Sequence, residues 1–490
     1  MPDHRLPDGR TPVLLTADDP EGLRDEAIAL DAYLTAYPEV PPAAIADMLW
    51  RTRSPRRRRA LILAGDRSTL DAAVDAIARG HGHPDVVTAT VGEPRRIAMV
   101  IAGQGSQRPG LGAGLHAASA GYRAEVDRCL EHLSADRAAV VRRYLLDDGA
   151  EGADGTTVQP ALVVHALGML ALWRDHGVVP DLTVGHSLGE IAAAVAAGLL
   201  DRRDAIRIAE IRAAATASVT IDDHAMAALG ISERDAAESI ARRPGWAEIT
   251  VVNGPESVCV NGDRATIADL IAHTTASGRF ARPIAITHPA HTTAMRPLAT
   301  RIRSDLAEAG VPDGFGAARI ACIGGTLGAR IPDDISVADY WYLNVRNTVR
   351  FDRAIVAAAA EIFVEIADHP ILAAGIAGTL AGTAADGTRD TADPVVVTTS
   401  RRTARGLEEF SRALATVVLA QPRLDRAQWA VPGPVRLPLR GFPTTVMRRR
   451  RLWLPPADSA ASSTPDVGRD EALRATPAAV AAPRLARPGV

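Results

Sequence analysis

DLTVGHSLGEIAAAVAAGLL, residues 181–200, is the stretch whose reading decides the fold. A short apolar run ends at Val184, the turn Gly185-His186-Ser187-Leu188-Gly189 comes next, and an alanine-rich segment without proline continues beyond it. Strand, tight turn and helix, in that order, make a Gly-x-Ser-x-Gly sequence a nucleophile elbow. Small residues flank the serine because the bend brings its two arms together. The hydroxyl is thrown clear of the backbone, and the next N–H lies at a helix N-terminus facing the reacting oxygen. The pentapeptide alone can arise by chance at ordinary glycine and serine frequencies. The strand before it and the helix behind it are what mark Ser187 as a nucleophile.

A serine nucleophile needs a base, normally a histidine. With thirteen histidines in the chain, counting does not pick one. His186 adjoins the serine, points elsewhere in a strand-to-helix turn, and reads as a structural hydrogen-bonder. His288 and His291 fall in AITHPAHTTAM, residues 285–295. That segment is the return from an inserted unit, where loops line a cleft. On residues alone both stay open.

Outward from the elbow, strands and helices alternate from Arg96: IAMVIA, the glycine loop GQGSQRPGLGAG (103–114), and a helix expected to follow Gln159 in PALVVHALGMLALWRDHG. This predicts an α/β fold, an α/β-hydrolase-like large subdomain with a mainly parallel sheet covered on both faces. Between about 222 and 287 the order becomes β-α-β-β-α-β, which predicts an inserted ferredoxin-like small subdomain. The large part resumes at His288 and runs through IFVEIADHPIL to PVVVTTS, giving a domain over 96–398. Residues 1–95 read as a small α+β linker domain with no catalytic constellation. A helix and a proline-punctuated segment occupy 399–456, and the Ala/Pro/Ser/Thr-rich tail over 457–490 reads as a disordered linker.

At 490 residues the chain is too long for one compact core. An apolar share of 47% and a charged share of 23% are those of a globular protein. A formal net charge of −3 gives no reason to expect a nucleic-acid partner. The chain has no lysine, and the run Arg56 to Arg59 reads as a solvated face before a strand. Cys129, Cys259 and Cys322 are too far apart in sequence for a CxxC pair, so neither a zinc site nor a disulfide framework is expected. No stretch reads as a membrane span or a signal peptide, so the expectation is a cytoplasmic protein without a membrane partner.

GQGSQ (103–107), VQPAL (158–162), GHSLGE (185–190), NGPESVCVNG (253–262), HPAHTTAM (288–295), YWYLNVRNTVRF (340–351) and DHPIL (368–372) occur in this order. Together they resemble the acyltransferase domains of modular polyketide synthases and the related malonyl-CoA:acyl-carrier-protein transacylases. The flanks resemble the ketosynthase-acyltransferase linker and the post-acyltransferase segment. The resemblance implies Ser187 as acyl-accepting nucleophile and selects His291 as its base, since HPAH aligns with the family's HAFH. It implies a backbone carbonyl, here that of Asn344, orienting the imidazole. It implies oxyanion donors in the N–H groups of Gln104 and Leu188, and Arg212 gripping the free carboxylate of a malonyl-type group. His288 and Ala290 become specificity positions, Ala290 leaving room where the family's malonyl selectors carry phenylalanine.

The reaction so implied is acyl transfer from a coenzyme A thioester to the phosphopantetheine of an acyl carrier protein, with no metal or bound cofactor. No ketosynthase precedes the linker and the tail shows no carrier-protein serine motif. The expectation is therefore an acceptor supplied in trans, or a chain that is part of a split or loading module, with a ketosynthase as a further candidate partner. The rival readings are an editing hydrolase on the same dyad, transfer between two carrier proteins, and a non-catalytic scaffold.

Overall fold

Complete burial of one strand, Thr11–Ala17, shows that the first sheet is covered on both faces. The computed structural model describes residues 2–447, apart from 151–152, 220–222, 287, 386–393, 426–428 and 435. The N-terminal segment contributes strands β1 (Pro2–His4), β2 (Thr11–Ala17), β3 (Arg58–Ala64) and β4 (Val86–Thr90), of which β2, β3 and β4 form an antiparallel sheet in that order. Helices Pro20–Ala36 and Arg67–Ala78 pack together beside it, and helix Glu408–Ala420 packs on β3 and β4.

The chain then enters the large subdomain with β5 (Ile97–Ile101) and β6 (Leu182–Gly185). It leaves for the small subdomain through β7 (His224–Leu229), β8 (Ala247–Gly254), β9 (Ser257–Asp263) and β10 (Ala281–Ile284). On its return it forms β11 (Ala321–Gly324), β12 (Ala329–Arg330), β13 (Val349–Arg350), β14 (Ile362–Ile366) and β15 (Val395–Thr398). The central sheet has the order β12-β11-β6-β5-β14-β15, parallel except for the edge strand β12. β5 and β14 are buried along their whole length, as a parallel sheet covered on both faces requires.

The small sheet runs β10-β7-β9-β8-β13. Its first four strands are antiparallel and have the arrangement of the expected ferredoxin-like unit. The fifth strand, β13, comes from the large part of the chain and pairs parallel with β8, tying the two subdomains. In register, Ile101, Gly185, Gly324 and Ile366 end their strands side by side. Ligands in open α/β sheets sit beyond such carboxyl ends.

Two features depart from the sequence expectations. The helix expected to follow Gln159 spans Gly155–Asp175 instead, because the Asp154 side chain accepts from the amides of Thr156 and Thr157 and sets the start earlier. Pro160 then lies inside the helix and has no N–H for the Thr156 carbonyl, which accepts from Arg137 Nη2 at 2.6 Å. At 21 residues this helix is long and apolar enough to cross a membrane, but 83% of its most apolar stretch is buried inside the protein.

Arg59 is also not solvated. It is 2% exposed and donates to the carbonyls of Leu419, Gln421 and Pro422 at the C-terminal end of helix Glu408–Ala420. The segment after 399 returns closely to the N-terminal part. Strand β16 (Ala430–Pro432) pairs with β1, Trp429 stacks edge-on against Trp50, and the amide of Val446 donates to Glu26. The tail over 457–490 lies outside the described residues.

Candidate active site

The elbow forms because three glycines let three backbones touch. A Cβ on Gly185 would lie 2.4 Å from Glu190 Cα, and one on Gly189 would lie 2.2 Å from the Ile101 carbonyl oxygen. One on Gly103, in the facing loop after β5, would lie 2.7 Å from the His186 carbonyl oxygen. Ser187 itself takes φ +52°, a left-handed conformation uncommon outside glycine and typical of a strained functional turn. Helix Gly189–Ala197 starts immediately behind it, so the Leu188 amide stands at the helix N-terminus.

His291 arrives from the loop after β10, also with positive φ, +64°, and its own amide is held by the Val345 carbonyl at 2.8 Å. Its Nε2 lies 2.8 Å from Ser187 Oγ, and its Nδ1 lies 2.9 Å from the carbonyl oxygen of Asn347. A carbonyl only accepts, so Nδ1 carries the proton and Nε2 offers its lone pair to the serine hydroxyl. The orienting carbonyl is thus Asn347's and not the expected one of Asn344. Asn344 sits within helix Val337–Arg346, whereas Asn347 is its C-cap, with extended backbone that turns its carbonyl out of the helical ladder.

The Asn344 side chain does other work. Its Nδ2 donates to the Ser187 carbonyl at 3.0 Å and to Thr326 Oγ1 at 3.1 Å, and its Oδ1 accepts from Arg212 Nε at 2.9 Å. Arg212, on helix Arg202–Ala217, is 3% exposed and also donates to Gln159 Oε1 at 2.6 Å and to Ser187 Oγ at 3.1 Å. Burial draws its pKa down to about 10, which leaves it charged at neutral pH. Burial, with the Arg212 charge second, pushes the His291 imidazole down to about 3. His288, buried near the same guanidinium, goes to about 4 for the same two reasons. Both rings are therefore neutral at physiological pH.

Ser187, His291, Arg212, His288, Ala290 and Gln104 line one cavity of about 690 Å³ between the subdomains. Among the described residues the amides of Gln104 and Leu188 have no backbone or side-chain acceptor. His186 faces away from the serine, its Nε2 2.9 Å from Asn253 Oδ1 and its ring edge-on to Phe351.

Sequence reasoning leaves out Glu190, Thr326 and Tyr340. The Glu190 carboxylate is fully buried under the elbow and accepts from the Thr326 amide at 2.9 Å, the Thr326 hydroxyl at 2.8 Å and the Tyr340 hydroxyl. Burial raises its pKa to about 7. The available signal is a single carboxylate in the otherwise apolar helix GEIAAAVAA, which can be buried only with partners.

A sequence profile of the acyl transferase domain matches residues 98–424, more than half of the chain and the whole of this site. The chain belongs to the acyl transferase domain family. This acyltransferase is 34% identical over 451 residues to the spectinabilin polyketide synthase system protein NorA' of Streptomyces orinoci, covering 90% of this chain and 12% of that one. It is 33% identical over 464 residues to erythronolide synthase EryA3 of Saccharopolyspora erythraea, covering 91% of this chain and 14% of that protein. The chain thus spans a small fraction of the length of these synthases. Among solved structures it resembles the acyltransferase domain from module 8 of the salinomycin polyketide synthase, with a TM-score of 0.73 and 29% identity, covering 85% of this chain and 97% of that domain.

Proposed function

We propose that this acyltransferase moves a malonyl-type acyl group from coenzyme A to the phosphopantetheine thiol of an acyl carrier protein, through an acyl-Ser187 intermediate, in polyketide biosynthesis. The observation that carries the reading is the convergence on one hydroxyl: Ser187 Oγ lies 2.8 Å from His291 Nε2 and 3.1 Å from Arg212 Nη2. In the first half-reaction His291 Nε2 takes the serine proton as Oγ attacks the thioester carbonyl. The amides of Gln104 and Leu188 receive the oxyanion, and the imidazolium, held by the Asn347 carbonyl, returns its proton to the departing thiolate. The second half-reaction runs the same steps in reverse, with the carrier thiol as nucleophile.

A guanidinium has five N–H donors, and Arg212 has three engaged. One N–H on each Nη remains to donate to the free carboxylate of a malonyl group. His288 and Ala290 line the same cavity, and the small Ala290 side chain leaves room for a branch at the α-carbon. The carrier protein is read as reaching this cavity in trans. Residues 2–95 and the segment after 399 are read as the adaptor that seats the domain against its neighbours, a ketosynthase among them.

The test is intact-mass measurement after exposure to malonyl, methylmalonyl, ethylmalonyl and acetyl thioesters of coenzyme A. The wild-type chain should gain one acyl group from the dicarboxylic donors and pass it to a holo carrier protein. Ser187→Ala should gain none, and Arg212→Ala should lose its preference for malonyl over acetyl. Rapid release of free acid without a carrier would turn the assignment to a hydrolase. Absence of any acyl adduct would remove it.

A further inference from the structure

Among the described residues, the cavity that holds Ser187 is lined by three arginines and three histidines, and by no carboxylate. One arginine, Arg212, is buried at its base. The other two, Arg282 and Arg402, are exposed. They come from different subdomains: Arg282 lies on β10, the outer strand of the small sheet, and Arg402 lies just beyond β15, the outer strand of the central sheet.

Surface arginines elsewhere in this chain are commonly tied to carboxylates, as Arg303 is to Asp339 and Arg234 to Glu238. Among the described residues these two have no such tie. Arg282 stands with its guanidinium carbon 5.9 Å from the centre of the Phe280 ring, itself 57% exposed at the cavity mouth. The charge of Arg402 reaches Asp368, but both oxygens of that carboxylate are already bonded to Arg108, at 3.0 and 3.2 Å. Two uncompensated positive charges therefore flank the opening, and low-dielectric walls focus their field into it.

We propose that Arg282 and Arg402 form a phosphate clamp at the mouth of the cavity. The ligand it recognises is the phosphate at the end of a pantetheine arm. This deepens the acyl-transfer reading and rests on it. A thioester donor and a carrier acceptor must enter the same cavity in turn. The chemistry they share beyond the pantetheine chain is that phosphate, a diphosphate in coenzyme A and a phosphodiester on a carrier protein. A clamp built from both subdomains holds either arm with its sulfur end directed at Ser187, and Phe280 supplies an apolar flank for the chain. The clamp is a positioning device, remote from the reacting atoms.

Isothermal calorimetry on the full chain tests it with four probes: coenzyme A, 4′-phosphopantetheine, its methyl phosphodiester, and pantetheine, which has no phosphate. The phosphodiester stands for the carrier-borne arm and coenzyme A for the donor. Arg282→Ala, Arg402→Ala and the double variant should weaken binding of the phosphate-bearing probes, roughly tenfold in the double variant. Pantetheine binding should be unchanged, and the wild-type preference for phosphate should fade as salt is raised. Loss confined to coenzyme A would restrict the clamp to the donor. Equal loss for pantetheine, or no loss for any probe, would overturn it.

Acylation of Ser187 by malonyl-pantetheine and by malonyl-CoA, read by mass, separates the two ideas. Variants acylated by malonyl-CoA with a wild-type KM would remove the clamp alone. A wild type that never acylates but loses coenzyme A affinity in the variants would remove the acyl-transfer reading and leave the clamp.

Discussion

In the proposed reaction His291 is useful as a base only if it is neutral when the thioester arrives, and burial beside the Arg212 charge favours that form. Burial and the nearby Arg212 charge hold the imidazole at about 3 against an ordinary 6.5, so the neutral form persists well into the acid range. The rate of Ser187 acylation should therefore stay flat from about pH 8 down to about pH 5, where an unperturbed histidine would already be mostly protonated. A stopped-flow or quench-and-mass pH profile checks this, and an acid limb centred near 6.5 would contradict it. Asn344 gives a second prediction, because one side chain joins the Ser187 carbonyl, Thr326 and Arg212. Replacing it with alanine removes one of the three bonds that hold the guanidinium and the bond that holds the strained turn. Malonyl acylation should fall on the order of a hundredfold and discrimination against acetyl should shrink. A loss equal for both donors would mean that Asn344 supports the serine alone. At this scale the Ser187 turn was legible as a short motif, whereas His291 and Arg212 came from the family resemblance and the structure sets both within hydrogen-bond distance of the serine hydroxyl. The choice between Asn344 and Asn347 was not, since it depends on which carbonyl leaves a helical ladder at the C-cap.

Elements were legible wherever apolar spacing or a turn residue marks them, as in β5, β6 and the helix behind the elbow. The start of helix Gly155–Asp175 was not, because Pro160 looks like a first-turn residue until Arg137 is seen supplying the hydrogen bond that the proline cannot. The network of Glu190 with Thr326 and Tyr340 escaped for a similar reason: its partners lie 136 and 150 residues away, beyond any local pattern. The elbow is the element whose tolerance can be predicted most sharply. A Cβ on Gly189 meets two backbone oxygens, those of Ile101 at 2.2 Å and Ala102 at 2.6 Å, and neither can swing aside as a side chain would. Gly189→Ala should push helix Gly189–Ala197 away from β5, cost about 3 kcal/mol of stability and abolish acylation. Chemical denaturation and mass readout check the two effects, and an active variant of wild-type stability would show that the close approach is not required.

In the whole molecule the N-terminal segment and the segment after 399 are held together by a buried charge. Arg59 lies on β3, and its guanidinium satisfies three carbonyls, of Leu419, Gln421 and Pro422, where helix Glu408–Ala420 ends. The site is favourable for a cation because those carbonyls carry the negative end of the helix dipole. Burial still draws on the charge, lowering the Arg59 pKa. Arg59→Met keeps the apolar stem and strands the carbonyls, at about 1–3 kcal/mol for each that water cannot reach. Arg59→Lys keeps the charge but offers a compact ammonium in place of a planar fork, and should recover only part of the loss. Hydrogen exchange should quicken across β3 and the end of helix Glu408–Ala420 in the methionine variant, while the central strands β5, β6 and β14 stay protected. Because Ser187 and His291 belong to that central region, acylation below the melting temperature should survive. Unchanged exchange in β3 would show that strand pairing and the aromatic contact between Trp50 and Trp429 hold the two segments without the arginine. Loss of acylation together with faster exchange in β6 would instead mean that the N-terminal sheet and the central sheet unfold as one unit.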